Sequence, residues 1–564
     1  FDIRKGETFC LVGESGSGKS ITAMSIMQLI PKSISSHPGD GRIVFHHRQD
    51  DGSVRAVNIL EQDDESMRHI RGARISMIFQ EPMTSLNPVH TIGDQIAEAL
   101  LLHTPLRGKA MWARVLELLE MVEIPDAKNR MKDYPHRLSC GQRQRVMIAI
   151  AMACEPDLLI ADEPTTALDV TIQAQILELM NELQRRKQMS ILFITHDIGV
   201  VNIMADRVAV MQKGKIVEIG ELDQVVRNPQ HDYTKQLIAA LPEQLRLERD
   251  AERERHAAAV AAGTEELTHA EQMMAADEPL VWMEQLQVYF PIRKGLLRRT
   301  VGYVKAVDNV DLTIRKGRIL ALVGESGSGK TTLGRAILRL VEPTGGSVYY
   351  AGSGGDAEQF AHADVPGGIG SNGSAPVELT GISLSAMRPF RRDLQFIFQD
   401  PYSSLNPRLR IVTTLTEPMA VHGIGSSRDE RTELAAQMMV KMDLQRDMLF
   451  RYPHEFSGGQ RQRIGMARAL LLNPRFIVCD EVTSALDVSV QAEILRLLLQ
   501  LREEFDLTLL FITHNIAVVE YLADEVAVMH QGKIVERGLA DDVCRNPQHE
   551  YSQKLLSAVP RVDV

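Results

Sequence analysis

The stretch Ile3-Arg4-Lys5-Gly6 returns as Ile314-Arg315-Lys316-Gly317, and Leu11-Val12-Gly13-Glu14-Ser15-Gly16-Ser17-Gly18-Lys19 returns as Leu322 through Lys330. The repetition continues in order: Ile78-Phe79-Gln80 with Ile397-Phe398-Gln399, Tyr134-Pro135-His136 with Tyr452-Pro453-His454, and Phe193-Ile194-Thr195-His196 with Phe511-Ile512-Thr513-His514. It closes with Arg227-Asn228-Pro229-Gln230-His231 and Arg545-Asn546-Pro547-Gln548-His549. The spacing between copies drifts by only a few residues, so the chain is a duplication and each half is a folding unit of one design. A length of 564 residues fits that reading, because domains usually hold about 100–200 residues.

The boundaries follow from where the repetition stops. Residues 1–242 are expected as the first domain and 279–564 as the second. Residues 243–278 are rich in Ala, Glu and Arg with few bulky apolar residues, the composition of a charged linker, a solvated tether with some helical tendency. The second copy carries Pro279 to Asp311 ahead of its match, whereas the first opens at Phe1 with neither Met nor a signal-peptide core, so it is expected to begin inside a domain with its opening strands missing. Ala351 to Gly381 is dense in Gly, Ala, Ser and Asp and reads as a flexible surface insertion.

Hydrophobic residues at 44% and charged residues at 24% match a globular chain and exclude disordered and collagen-like classes. A net charge of −11 argues against nucleic-acid binding through a bulk basic field. Cys10, Cys140, Cys154, Cys479 and Cys544 are scattered with no C-x-x-C pair, which suggests a reduced, intracellular setting. No apolar run reaches the roughly 18–20 residues that span a bilayer.

Gly13-Glu14-Ser15-Gly16-Ser17-Gly18-Lys19-Ser20 follows an apolar strand pattern and precedes a helical one, as does Gly324-Glu325-Ser326-Gly327-Ser328-Gly329-Lys330-Thr331. This is the context of a phosphate-binding P-loop. Its glycines let backbone N–H groups wrap phosphates, Lys19 or Lys330 reaches the β/γ phosphates, and Ser20 or Thr331 ligates Mg2+. One such match could arise by chance; two in register do not. Leu158 to Glu163 and Phe476 to Glu481 each read as a buried strand ending in two carboxylates. Asp162 or Asp480 can hold the magnesium through its water shell, and Glu163 or Glu481 can orient or deprotonate an attacking water.

The deciding motif is Leu138-Ser139-Cys140-Gly141-Gln142, repeated as Phe456-Ser457-Gly458-Gly459-Gln460, each followed by Arg-Gln-Arg. Here the chain resembles the ATP-binding-cassette (ABC) ATPases over nearly its whole length. The resemblance implies an α/β fold of two tandem P-loop NTPase domains, each with a RecA-like core, an antiparallel β part and a helical subdomain. It further implies two nucleotides sandwiched head to tail, with Ser139, Gly141 and Gln142, or Ser457, Gly458, Gly459 and Gln460, capping the γ-phosphate held by the opposite cassette. Gln80 and Gln399 look like the glutamine that touches the magnesium or attacking water, Ala167-Leu168-Asp169 and Ala485-Leu486-Asp487 like the D-loops, and His196 and His514 like the switch histidine. Adenine usually stacks on an upstream aromatic; Phe290 or Tyr289 is the candidate in the second half, core packing being the other use of such a ring.

Glu81-Pro82-Met83-Thr84-Ser85-Leu86-Asn87-Pro88, Asp400-Pro401-Tyr402-Ser403-Ser404-Leu405-Asn406-Pro407 and the tails Pro229 to Thr234 and Pro547 to Ser552 resemble the dipeptide, oligopeptide and nickel importer branch in a fused tandem form. That implies an ATP-hydrolysing importer subunit on the cytoplasmic face of the membrane, peripheral to two permease subunits supplied by an extracytoplasmic substrate-binding protein. The cargo would be a dipeptide, an oligopeptide or glutathione. Neither tail carries the cysteine cluster of iron–sulfur relatives, so no such cluster is expected. Tandem cassettes also act on ribosomes and DNA. The repair proteins insert zinc modules with C-x-x-C pairs, and the translation factors use a longer, strongly basic linker; this sequence has neither.

Overall fold

Apolar runs such as Thr8–Val12 and Ser190–Thr195 have no polar alternation and are buried along their whole length, as strands covered on both faces must be. In the computed structural model, which describes all residues except 32, 37–39, 49–53, 81–84, 167, 263, 265–266, 295–298, 353–375, 401–403, 485 and 560–564, they lie side by side at the centre of a sheet. The chain divides into two compact units, Phe1–Ala239 and Ala240–Val559. Most of the expected Gly-rich insertion lies outside the described residues, as do Glu81 to Thr84, Pro401 to Ser403 and the two D-loop alanines.

In the first unit six strands run in the order Ile75–Ile78, Leu158–Asp162, Ser190–Thr195, Thr8–Val12, Arg207–Gln212 and Lys215–Glu221. All neighbours are parallel except the last pair, an antiparallel edge hairpin. The second unit repeats this with Leu394–Ile397, Phe476–Asp480, Thr508–Ile512, Ile319–Val323, Glu525–His530 and Lys533–Leu539. Ala23 and Ile26 of the helix Lys19–Ile26 pack on Phe9, Leu11, Ile160 and Ile194. At about 1.5–3 kcal/mol for each large apolar side chain buried, this contact seats the helix, and therefore the loop before it, on the sheet.

A second sheet in the second unit orders Arg299–Arg315, Pro279–Lys294, Gly345–Tyr350 and Val377–Glu378. Its Leu286, Val288, Val310, Val348 and Tyr350 share a core with Leu333 and Ile337 of the P-loop helix Lys330–Ile337. A helical arm sits between the strand carrying each glutamine and the Ser-Gly motif. In the first unit it is Ile92–His103 and Gly108–Met121, in the second Ile411–Val421 and Arg428–Lys441. The i, i+4 stripe Ile92, Ile96 and Leu100 is buried, the pattern of an amphipathic helix on a core, and Thr91 Oγ1 caps it by accepting the Asp94 N–H at 3.2 Å.

Residues 243–278, read from composition as a charged linker, are largely helical, with helices Pro242–Ala261 and His269–Ala276. The first packs on the second unit through its opening turns, while residues 251–255 stay exposed. Leu245 is buried in the core of the second unit. Arg246 donates to Glu520 at 2.8 Å and to Asp541 at 2.7 Å, while Arg249 bonds the Tyr521 carbonyl and lies over its ring. Charge that looked like solvation in the sequence is spent on ion pairs with the helix Ile516–Leu522 and its neighbour. Among the described residues, no helix is long and apolar enough to cross a membrane, and all five cysteines are free thiols.

Candidate functional site

Ligands of open parallel sheets bind beyond the carboxyl ends of the strands, and here four strand ends converge. Thr8–Val12 runs into Gly13, Leu158–Asp162 delivers Asp162 and then Glu163, Ile75–Ile78 leads to Gln80, and Ser190–Thr195 to His196. The carboxylate strand lies between the glutamine and histidine strands, so all three side chains meet.

The phosphate loop depends on glycine. Gly13 has φ 153° and Gly18 φ 108°, and a Cβ at Gly13 would stand 2.2 Å from the Met211 carbonyl oxygen, as one at Gly324 would from that of Met529. No side chain fits so close to backbone. Lys19 Nζ donates to the carbonyls of Gly13 at 2.7 Å and Glu14 at 2.9 Å, and Lys330 Nζ to those of Gly324 at 2.8 Å and Glu325 at 2.9 Å. Each ammonium is thus held inside its own loop.

Ser20 Oγ donates to Asp162 Oδ1 at 3.1 Å, and Thr331 Oγ1 to Asp480 Oδ1 at 2.9 Å. Burial raises the carboxyls of Asp162 and Asp480 above their usual range, opposed by those hydroxyl bonds. Asp480 Oδ2 is buried without a hydrogen-bond partner, an arrangement that a cation would satisfy.

Glu163 Oε2 accepts from Gln80 Nε2 at 2.9 Å and from Thr166 Oγ1 at 3.0 Å, and Oε1 lies 3.1 Å from His196 Nδ1. Glu481 pairs with Gln399 Nε2 at 2.8 Å and His514 Nδ1 at 3.3 Å. Burial works against the charged form of both glutamates, but the histidine hydrogen bonds and charge outweigh it and hold both carboxyls below the ordinary value. Each is therefore poised as an anion. Glu163 and Glu481 also sit at φ 47° and 46°, left-handed backbone that costs about 1–3 kcal/mol in a non-glycine residue and gathers at functional sites. Their N–H groups bond Ile194 and Ile512 carbonyls, both at 2.9 Å, and this holds the turn.

Ser139 and Ser457 cap the helices Cys140–Met152 and Gly458–Leu470 through reciprocal bonds with Gln142 and Gln460. Their hydrogen bonds stay at those helix starts, so the structure does not join them to the P-loop of the same unit. Gly141 and Gly459 press on Ile172 and Val490, where a Cβ would stand at 2.6 and 2.3 Å, whereas one at Gly458 would be 3.8 Å from Leu486. The position that Cys140 occupies therefore has room for a side chain. Phe290 is 43% exposed, while the Tyr289 hydroxyl bonds Asp308 and its ring lies under the Lys305 ammonium at 5.2 Å.

Sequence reasoning missed Thr166, whose counterpart Ser484 turns instead to the Glu481 carbonyl at 3.0 Å. A Ser/Thr three residues past the strand-end glutamate was the available signal.

A duplicated P-loop sheet with an anionic glutamate between a glutamine and a histidine defines a tandem nucleoside-triphosphatase. The chain matches the family "ABC transporter" over residues 1–166 and 307–484, and "Oligopeptide/dipeptide transporter, C-terminal region" over 217–265 and 535–564. It is 45% identical to the glutathione import ATP-binding protein GsiA of Salmonella paratyphi A, over 100% of this chain and 86% of that protein. It is 46% identical to the peptidoglycan transport ATP-binding protein YejF of Agrobacterium fabrum, over 100% and 92%. A solved dimer of the ATP-binding cassette MJ0796 in a post-hydrolysis state with ADP and Pi overlays with a TM-score of 0.38 at 26% identity, covering 46% of this chain and 99% of its own. The chain belongs to the ABC transporter family and is an ATP-hydrolysing subunit of that family.

Proposed function

We propose that this chain, lying peripherally on the cytoplasmic face of the membrane, powers uptake of a dipeptide, an oligopeptide or glutathione through two separate permease subunits fed by an extracytoplasmic substrate-binding protein. The observation that carries this reading is that the oligopeptide/dipeptide tail follows the ATP-hydrolysing cassette in both copies, on a chain resembling a glutathione import and a peptidoglycan transport ATP-binding protein along its full length.

At each site, Gly13 to Ser20 or Gly324 to Thr331 binds the ATP phosphates, with Lys19 or Lys330 on the β/γ oxygens. Ser20, Asp162 and Gln80, or Thr331, Asp480 and Gln399, would hold Mg2+, and the partnerless buried Asp480 Oδ2 suits that assignment. The metal would neutralise charge developing on the γ-phosphate. Glu163 or Glu481 takes the proton of the attacking water, Gln80 or Gln399 orients that water, and His196 or His514 contacts the γ-phosphate. Phe290, or else Tyr289, stacks adenine in the second half. Ser139 with Gly141 and Gln142 seals the site of Lys330, and Ser457 with Gly458, Gly459 and Gln460 that of Lys19, so that binding closes the cassettes and hydrolysis reopens them. The domain limits fitting this scheme are 1–242 and 279–564, joined by 243–278.

The test is purification of the tagged chain from its native membrane. Integral permease subunits, and ATP-dependent uptake of labelled glutathione or dipeptide by vesicles containing them, are expected; ribosomes or DNA in their place overturn the reading.

Cys140 gives the two sites unequal caps. Because the matching Gly458 position has room for a side chain within its own unit, the thiol would act on the γ-phosphate that Ser139 would cap. The site of Lys330 with Ser139 should turn over more slowly than that of Lys19 with Ser457. Glu481→Gln should then retain more residual ATPase than Glu163→Gln, and equal residual rates remove the idea.

A further inference from the structure

We infer that Tyr233 and Tyr551, in the tail segments, are positioning residues for the phosphate loops. The backbone N–H of Glu14 donates to the Tyr233 hydroxyl at 3.3 Å, and that of Glu325 to the Tyr551 hydroxyl at 3.0 Å. Both tyrosines are buried, at 6% and 9% exposed. The residue each one holds is the hub of its loop. The Glu14 carbonyl accepts from Lys19 Nζ at 2.9 Å and from the Ser17 N–H at 3.2 Å, and the Glu325 carbonyl accepts from Lys330 Nζ at 2.9 Å and the Ser328 N–H at 3.1 Å. One residue thus links the tail tyrosine on its N–H side to the phosphate-binding lysine on its carbonyl side.

The tyrosine is itself fixed by the motif before it. Glu218 accepts the N–H groups of Gln230 at 2.8 Å and His231 at 3.0 Å, and His231 Nδ1 accepts the Tyr233 N–H at 3.2 Å. In the second unit Glu536 accepts from Gln548 at 2.7 Å and His549 at 3.1 Å, and His549 Nδ1 from Tyr551 at 3.1 Å. The same chain of bonds, built twice from the same residue types, runs from the edge hairpin through the Pro-Gln-His-x-Tyr motif to the loop. That gives the tail motif a task at the nucleotide site: it pre-sets the loop backbone, so that less ordering remains when phosphate arrives.

Because a favourable coupling acts equally in both directions, nucleotide binding must also steady the tail. In the full chain, ADP with Mg2+ should slow amide exchange in the helices Asp232–Ala239 and Glu550–Ser557. Tyr233→Phe with Tyr551→Phe keeps both rings and removes both acceptors. It should weaken ADP binding between about twofold and tenfold, the worth of one hydrogen bond at each site. It should raise KM for ATP more than it lowers kcat, and shrink the ADP-induced protection of the tail. A purely structural tyrosine would instead lower the melting temperature equally with and without ADP and leave KM unchanged. That result, or tail exchange in the wild-type chain that ignores ADP, overturns the inference, and the wild-type exchange measurement stands even where a variant does not fold.

Discussion

Replacing both Glu163 and Glu481 with Gln is expected to lower steady-state ATP turnover by about 10²- to 10⁴-fold, the range for loss of a positioned general base, with ATP affinity nearly unchanged. The carboxylate is the convergence point of each site, taking Gln80 and His196 in one unit and Gln399 and His514 in the other. It is kept anionic against burial by that histidine. An amide of the same size can accept one of these bonds but cannot take a proton from water. Lys19, Lys330 and the loop glycines, proposed to grip the phosphates, are untouched, so binding is expected to survive. Single-turnover ATP hydrolysis beside equilibrium ATP binding separates the two quantities, and a variant that still turns over at near wild-type rate would remove both glutamates from the chemistry.

Lys19→Ala with Lys330→Ala is expected to do the opposite, abolishing the binding step. Each ammonium is buried and bonded to two loop carbonyls, so it rigidifies the loop, and on the proposed function it also meets the β/γ oxygens. A charge-assisted hydrogen bond is worth about 1.5–3 kcal/mol, so losing two or more of them should weaken ATP binding by two orders of magnitude or more. Titration with ATP under non-hydrolysing conditions measures it. Affinity within a few fold of the wild type would mean that the phosphates are carried by backbone N–H groups alone.

Much of this was legible in one dimension. The P-loops, the Asp-Glu strand ends and the Ser-Gly-Gln helix starts are short local motifs that can be read from neighbouring residues, and duplication supplied a second reading of each. The linker was less legible. Its Arg and Glu residues read as solvated because a composition cannot say that Arg246 and Arg249 have Glu520, Asp541 and the Tyr521 carbonyl to meet. Thr166 was overlooked although it stands three residues past Glu163, and the tail tyrosines were silent, since a hydroxyl carries no sign of the distant group it will bond.

What the sequence determined unaided is the chemistry carried by contiguous residues. A glycine-rich turn ending in Lys-Ser or Lys-Thr between a buried strand and a helix reads as a phosphate cradle, and two of them in register point to two nucleotide sites. Only the tertiary structure decided that Glu163 would lie between Gln80 and His196, partners 83 and 33 positions away along the chain. The cause is strand order: hydrogen bonding sets Leu158–Asp162 between Ile75–Ile78 and Ser190–Thr195, and parallel pairing brings all their carboxyl ends to one edge, where residues remote in sequence become neighbours.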